Sequence, residues 1–166
     1  MALRNVLHEG DPQLRKKSRP VTRFDERLRG LAQDMLETMR EENGVGLAAP
    51  QIGILKRIFV MNIGDESGDH VIVNPRIISR EGQQCEMEGC LSLPGLFAKV
   101  ERPEKLILEY ENLEGKTERM EADHFKAACI CHETDHLDGI LFRDRVTGEF
   151  YRCDDKGNLI AASPEE

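Results

Sequence analysis

The chain has 166 residues, with 33% charged and 39% hydrophobic residues, six Phe, two Tyr and no Trp. That composition suits one folded domain over residues 1–166 with a single sizeable core; no apolar run approaches the roughly 20 residues that span a bilayer, and the opening residues are too weakly apolar for a secretory signal, which points to the cytoplasm. The net charge of −8 repels phosphate backbones and argues against direct nucleic-acid binding.

Residues 22–43 are expected to form an amphipathic helix, because Phe24, Leu28, Leu31, Met35 and Met39 recur at three- and four-residue steps. Thr22 with Asp25 three places on makes a capping arrangement, and Asn43-Gly44 is a stop. A Gly-rich turn, Gly44-Val45-Gly46-Leu47-Ala48-Ala49-Pro50-Gln51, follows. Short strand-type runs come next at 57–63, 71–74 and 77–79. Two more, at 105–111 and 116–121, flank the hairpin turn Asn112-Leu113-Glu114-Gly115. Asp123 can cap a second helix running to about Leu137, with Gly139 as its stop. The tail, 147–166, alternates at 150–153 and 159–161 around Asp155-Lys156-Gly157-Asn158, the pattern of a small hairpin. Two helices among many short strands, without βαβ alternation, predict an α+β fold.

The most informative stretch is His132-Glu133-Thr134-Asp135-His136. Four residues of helix advance about 6 Å and turn about 40° past a full circle, so the two imidazoles emerge one above the other and can converge on one cation, with Glu133 beside them. A catalytic zinc-type site takes three protein ligands and leaves a position for water, whose pKa falls toward roughly 7; Glu133 is then placed to act as general base and acid. The plain alternative is a solvated helix face with two unrelated histidines.

The third ligand decides the enzyme class. Phe142 stands where the metzincin pattern needs a histidine, and none of the later glutamates (Glu149, Glu165, Glu166) lies in a convincing helix. Cys129 shares the histidine face but is about 10 Å along the axis from His136, too far for a shared ion. The five cysteines are an odd number and, without a signal peptide, are expected as free thiols or metal ligands. Cys90, in Glu88-Gly89-Cys90-Leu91-Ser92, is the leading candidate, with Cys85, His70 and His124 as alternatives.

Three segments, Gly44 to Gln51, Glu88 to Ser92 and His132 to His136, resemble the three signature motifs of peptide deformylases, in the family's order and approximate spacing. The extension His136-Leu137-Asp138-Gly139-Ile140-Leu141-Phe142 and the opening Asp11-Pro12-Gln13-Leu14-Arg15 resemble the family too, so the likeness covers about residues 3 to 146. It implies short antiparallel strands in small sheets packed around a central metal-binding helix, with a second helix near the N-terminus. Cys90, His132 and His136 would hold the metal, ferrous iron by nature, with zinc, nickel or cobalt as substitutes. The implied reaction removes the N-formyl group from the first methionine of newly made polypeptides: metal-bound hydroxide attacks the formyl carbon and Glu133 moves the proton to the departing amine. The Gln51 side chain and the Leu91 backbone N–H would stabilise the oxyanion. Gly44, Val45 and Gly46 would face the substrate main chain, and Cys129 would line the methionine pocket. Glu88 is either a support for the site or a solvated residue; Cys131 reads as core filler.

Some members carry a long C-terminal helix that docks on the ribosome. Here the tail holds Gly148, Gly157 and Pro164 and ends in two glutamates, which speaks against that route to the ribosome exit region. A monomer acting on formyl-Met nascent peptides is expected. The rival readings are a general zinc metallopeptidase and a non-catalytic metal-binding module closed by a fourth ligand such as Cys85 or Cys131.

Overall fold

The computed structural model describes residues 2–163 and has an α+β fold. Helix α1 spans Glu26–Glu41 and α2 spans His124–Leu137. Five antiparallel strands form the first sheet in the order β1 (Gly46–Ala48), β2 (Ile58–Met61), β3 (His70–Glu81), β6 (Lys105–Glu111), β7 (Thr117–Asp123). Four form the second, in the order β4 (Gln84–Cys90), β5 (Leu93–Arg102), β8 (Val146–Cys153), β9 (Leu159–Ala162). No helix among the described residues is long and apolar enough to cross a membrane.

The two-residue alternation of a strand decides which helix each side chain meets. In β2, Ile58 and Val60 pack with Leu28, Leu31 and Met35 of α1, whereas Phe59 and Met61 pack with Ala127, Cys129 and Ile130 of α2. The first sheet is thus covered by α1 on one face and α2 on the other. Helix α2 is buried along most of its length, including His132, Glu133 and His136, as expected of a helix with apolar residues on all sides. A third cluster, with Leu96, Ala98 and Val100 of β5 against Leu141 and Phe142, forms the core of the second sheet.

Several local expectations are corrected. Helix α1 starts at Glu26, and its cap is Asp25, whose carboxylate accepts from the N–H of Leu28 at 3.1 Å; Thr22 lies outside the helix. The expected runs 71–74 and 77–79 are one strand, β3, carried past Pro75 by a register shift between Val73 and Arg76. Asn74 takes a left-handed φ of 49° there, and its side-chain amide both accepts from and donates to the backbone of Val21. Asp123 does stand at the N-cap of α2, which ends at Leu137 as expected, but its side chain makes no cap bond. Strands β4 and β5 are not among the expected runs: β4 alternates only weakly, with Cys85 and Met87 between Gln84, Glu86 and Glu88, and Pro94-Gly95 obscures the start of β5. The tail hairpin exists, but β8 begins at Val146, so most of the supposed tail belongs to the second sheet. Pro164, Glu165 and Glu166 lie outside the described residues.

Candidate metal centre

The centre lies where α2 meets the end of β4 and the turn after β1. Cys90, His132 and His136 each bring one donor atom within 4.8 Å of the others, and Cys90 Sγ is 3.3 Å from His136 Nε2. The local fold explains the meeting. The two histidines are one helical turn apart on α2, and the β4–β5 register shifts between Gly89 and Cys90, turning the thiol out of the ladder. Gly89 is required beside it, since a Cβ there would sit 2.7 Å from the Phe97 ring.

The alternatives for the third donor fall elsewhere. Cys85 is exposed, His124 is exposed and faces Glu104, and His70 bonds Ser67 Oγ at 2.7 Å. Cys131 is buried in the core between α2 and the first sheet, where burial pushes its thiol up to about 11. Cys129 is buried in the same cluster, one turn before Glu133; burial, with the Glu133 charge second, holds its thiol well above the ordinary range. Among the described residues the centre gathers three such donors.

Each histidine is prepared differently. His132 Nδ1 lies 2.9 Å from Glu88 Oε1. Burial would raise the Glu88 pKa, but hydrogen bonds from Arg102 and His132 outweigh it and hold the carboxyl below its usual range. An ionised carboxylate only accepts, so Nδ1 carries the proton and Nε2 keeps its lone pair for a ligand. Phe142 stacks on the same imidazole, with centroids 6.0 Å apart and planes 23° apart. His136 is fully buried; burial, and then the neighbouring His132, hold its pKa well below the ordinary value, so it is neutral. Burial would lower the His132 pKa, but hydrogen bonds to Cys90 and Glu88 outweigh it and hold the pKa above its ordinary value, so a metal must displace a proton there. One thiol and two imidazoles form a donor set that several divalent transition metals accept.

Glu133 points toward the start of β1. A Cβ on Gly46 would lie 2.6 Å from Glu133 Oε2, so only glycine leaves room for the carboxylate. Burial pushes Glu133 up to about 7, and its Oε1 finds no hydrogen-bond partner among the described residues. The Gln51 amide is oriented by the N–H of Ala48, which donates to Oε1 at 2.9 Å; its Nε2 then donates to Ser92 Oγ at 3.1 Å and faces Cys90 Sγ at 3.6 Å. Leu91 follows Cys90, and a Cβ on Gly44 would touch its Cδ1 at 2.8 Å. Val45 is exposed beside them. Gly46 lies in β1 and Cys90 ends β4, both edge strands of their sheets.

Sequence reasoning passed over Arg102, which is 5% exposed and clasps Glu88 through Nε and Nη2, both at 2.9 Å. The signal was present: Leu96, Ala98, Val100 and Arg102 share the inward face of β5, and a charge on such a face demands a buried partner. Asp135, inside the helix motif, and Ser92 were passed over as well.

The family model for polypeptide deformylase matches residues 3–150. The chain is 50% identical over 147 residues to the peptide deformylase of Finegoldia magna, covering 88% of this chain and 91% of that one. It is 52% identical over 147 residues to the peptide deformylase of Clostridium botulinum, covering 89% and 99%. The crystal structure of the peptide deformylase from Thermotoga maritima superposes with a TM-score of 0.85 at 40% identity, covering 88% of this chain and 99% of that one.

Proposed function

The chain belongs to the polypeptide deformylase family, and from that premise we propose the part each residue of the centre plays. The activity is a metal-dependent hydrolysis that removes the formyl group from the N-terminal methionine of newly synthesised polypeptides and releases formate. In the proposal, Cys90, His132 and His136 hold one divalent ion, ferrous iron in the cell, with zinc, nickel or cobalt as substitutes. When bound, such an ion supplies Lewis acidity and lowers the pKa of water toward roughly 7.

Glu133 takes a proton from the attacking water and passes it to the amine nitrogen as the C–N bond breaks. Its unpartnered Oε1 and its pKa of about 7 support that role. Gln51 Nε2 and the Leu91 N–H donate to the formyl oxygen as it gains charge; the Ala48 bond that aims the Gln51 amide supports this assignment. Gly44, Val45 and Gly46 face the peptide main chain along the free edge of β1. Cys129, a buried and neutral thiol, lines the pocket for the methionine side chain.

The catalytic unit is read as one domain over residues 1–166, monomeric and cytoplasmic, meeting nascent chains near the ribosome exit. Among the described residues, Val146–Cys153 and Leu159–Ala162 are strands of the second sheet and not a docking helix. The observation that carries the whole reading is the convergence of three donors beside an unpartnered buried carboxylate. Formate release from formyl-Met-Ala-Ser, with metal analysis on the same sample, tests it. About one ion per chain and turnover restricted to formylated peptides are expected; cleavage of unformylated peptides without formate would contradict it.

A further inference from the structure

Arg102 does more than clasp Glu88. Its remaining nitrogen, Nη1, donates to Asp135 Oδ2 at 2.8 Å, and Asp135 lies on α2 three residues beyond His132. Both Asp135 oxygens also accept from Arg145, from Nε at 2.6 Å and Nη2 at 3.1 Å. Side-chain exposure falls from 45% at Arg145 to 13% at Asp135 and 4% at Arg102, with Glu88 at 11%. Charges of alternating sign therefore run from solvent to the imidazole of His132. Phe142 stacked on that ring limits its freedom to turn.

We propose that Asp135 and Arg145 are positioning residues that set how strongly Glu88 holds the Nδ1–H of His132, and so how strongly His132 Nε2 donates to a metal. The proposal rests on His132 being a metal ligand, as read above. Arg102 donates to two carboxylates and Asp135 accepts from two guanidinium groups, so the partners compete for one charge and weakening one bond strengthens the next. Without the Asp135 charge, Arg102 turns wholly to Glu88 and draws the carboxylate away from the imidazole. Without the Arg145 charge, Asp135 draws Arg102 toward itself, and Glu88 becomes the better acceptor for His132. A brace that merely fixed geometry would loosen the His132–Glu88 bond in both cases. Opposite signs are the signature of coupling.

The test uses the zinc-loaded full chain with labelled histidine, reading the His132 Nδ1–H proton resonance and the rate of zinc loss to a chelator. Asp135→Asn should move that resonance upfield and speed zinc loss about tenfold, the lower end of what lost outer partners of a ligand cost. Arg145→Gln should move it downfield and slow the loss about twofold, and Arg145→Lys should return both toward the parent. Shifts in the same direction, or none, overturn the proposal. If Asp135→Asn fails to fold, the half-exposed Arg145 decides alone: an upfield or absent shift in Arg145→Gln overturns the coupling. If His132→Ala retains zinc as well as the parent does, the ligand reading has failed, and the proposal with it.

Discussion

Replacing Gly46 with alanine tests how closely the centre is fitted around Glu133. The added Cβ would stand 2.6 Å from Oε2, 2.9 Å from Cδ and 3.1 Å from Cγ of Glu133, where ordinary van der Waals contact begins at 3.4 Å. The carboxylate must therefore retreat by about 0.8 Å, close to the 1 Å misplacement that can cost about 10²-fold in rate. Glu133 is itself 4% exposed, so its retreat also strains the packing, by about 1–3 kcal/mol. Because the three atoms nearest the new methyl all belong to Glu133 and not to Cys90, His132 or His136, metal content should stay at the parental level. The assay is kcat for formate release from formyl-Met-Ala-Ser, with metal analysis and chemical denaturation on the same sample. A roughly hundredfold fall in kcat with metal retained is expected. A kcat within twofold of the parent would refute the claim that this glycine makes room for the carboxylate.

Other outcomes follow from particular contacts. Cys90→Ser should weaken metal retention sharply, read as ions per chain after dialysis against a chelator; unchanged stoichiometry would point to another third donor. Gly30→Ala, at an exposed site inside α1 with nothing within 4 Å of the new Cβ, should stabilise the fold by about 0.5–1 kcal/mol in denaturant titrations; a loss would contradict the open surface there. The Asp34 carboxylate accepts from the Ala2 N–H at 2.7 Å, which with Arg4 outweighs the effect of burial and holds its pKa below the ordinary 3.8. A lowered folded-state pKa gives stability that is present above 3.8 and lost as pH falls through the lower folded value. The stability gap between the parent and Asp34→Asn should therefore close as pH falls from about 6 toward 3; a gap that widens would reverse the sign.

Much of this was legible in the chain because it rests on short-range rules. The period of Leu28, Leu31, Met35 and Met39 fixed one face of α1, and the spacing of His132 and His136 is a property of any helix. The meeting of Cys90 with that helix was not derivable from spacing, because it depends on β4 and β5, which local pattern hides. Gln84, Glu86 and Glu88 line one face of β4 and the other offers only Cys85 and Met87, neither fully buried; pairing with β5 and the Glu88–Arg102 clasp hold the strand in place. Pro75 seemed to end a strand, yet Asn74 carries β3 past it by bonding Val21, a residue 53 positions away. Asp135 and Arg145 were invisible for the same reason: their partners come together only once both sheets close around α2.

The central claim is that Glu133 moves the proton while three other side chains hold the ion. Glu133→Ala, assayed for formate release and metal content in one preparation, tests it most directly. About one ion per chain with turnover reduced by about 10²–10⁴-fold is the expected result. Undiminished turnover, or an empty metal site in that variant, would contradict the division of labour between Glu133 and the triad of Cys90, His132 and His136.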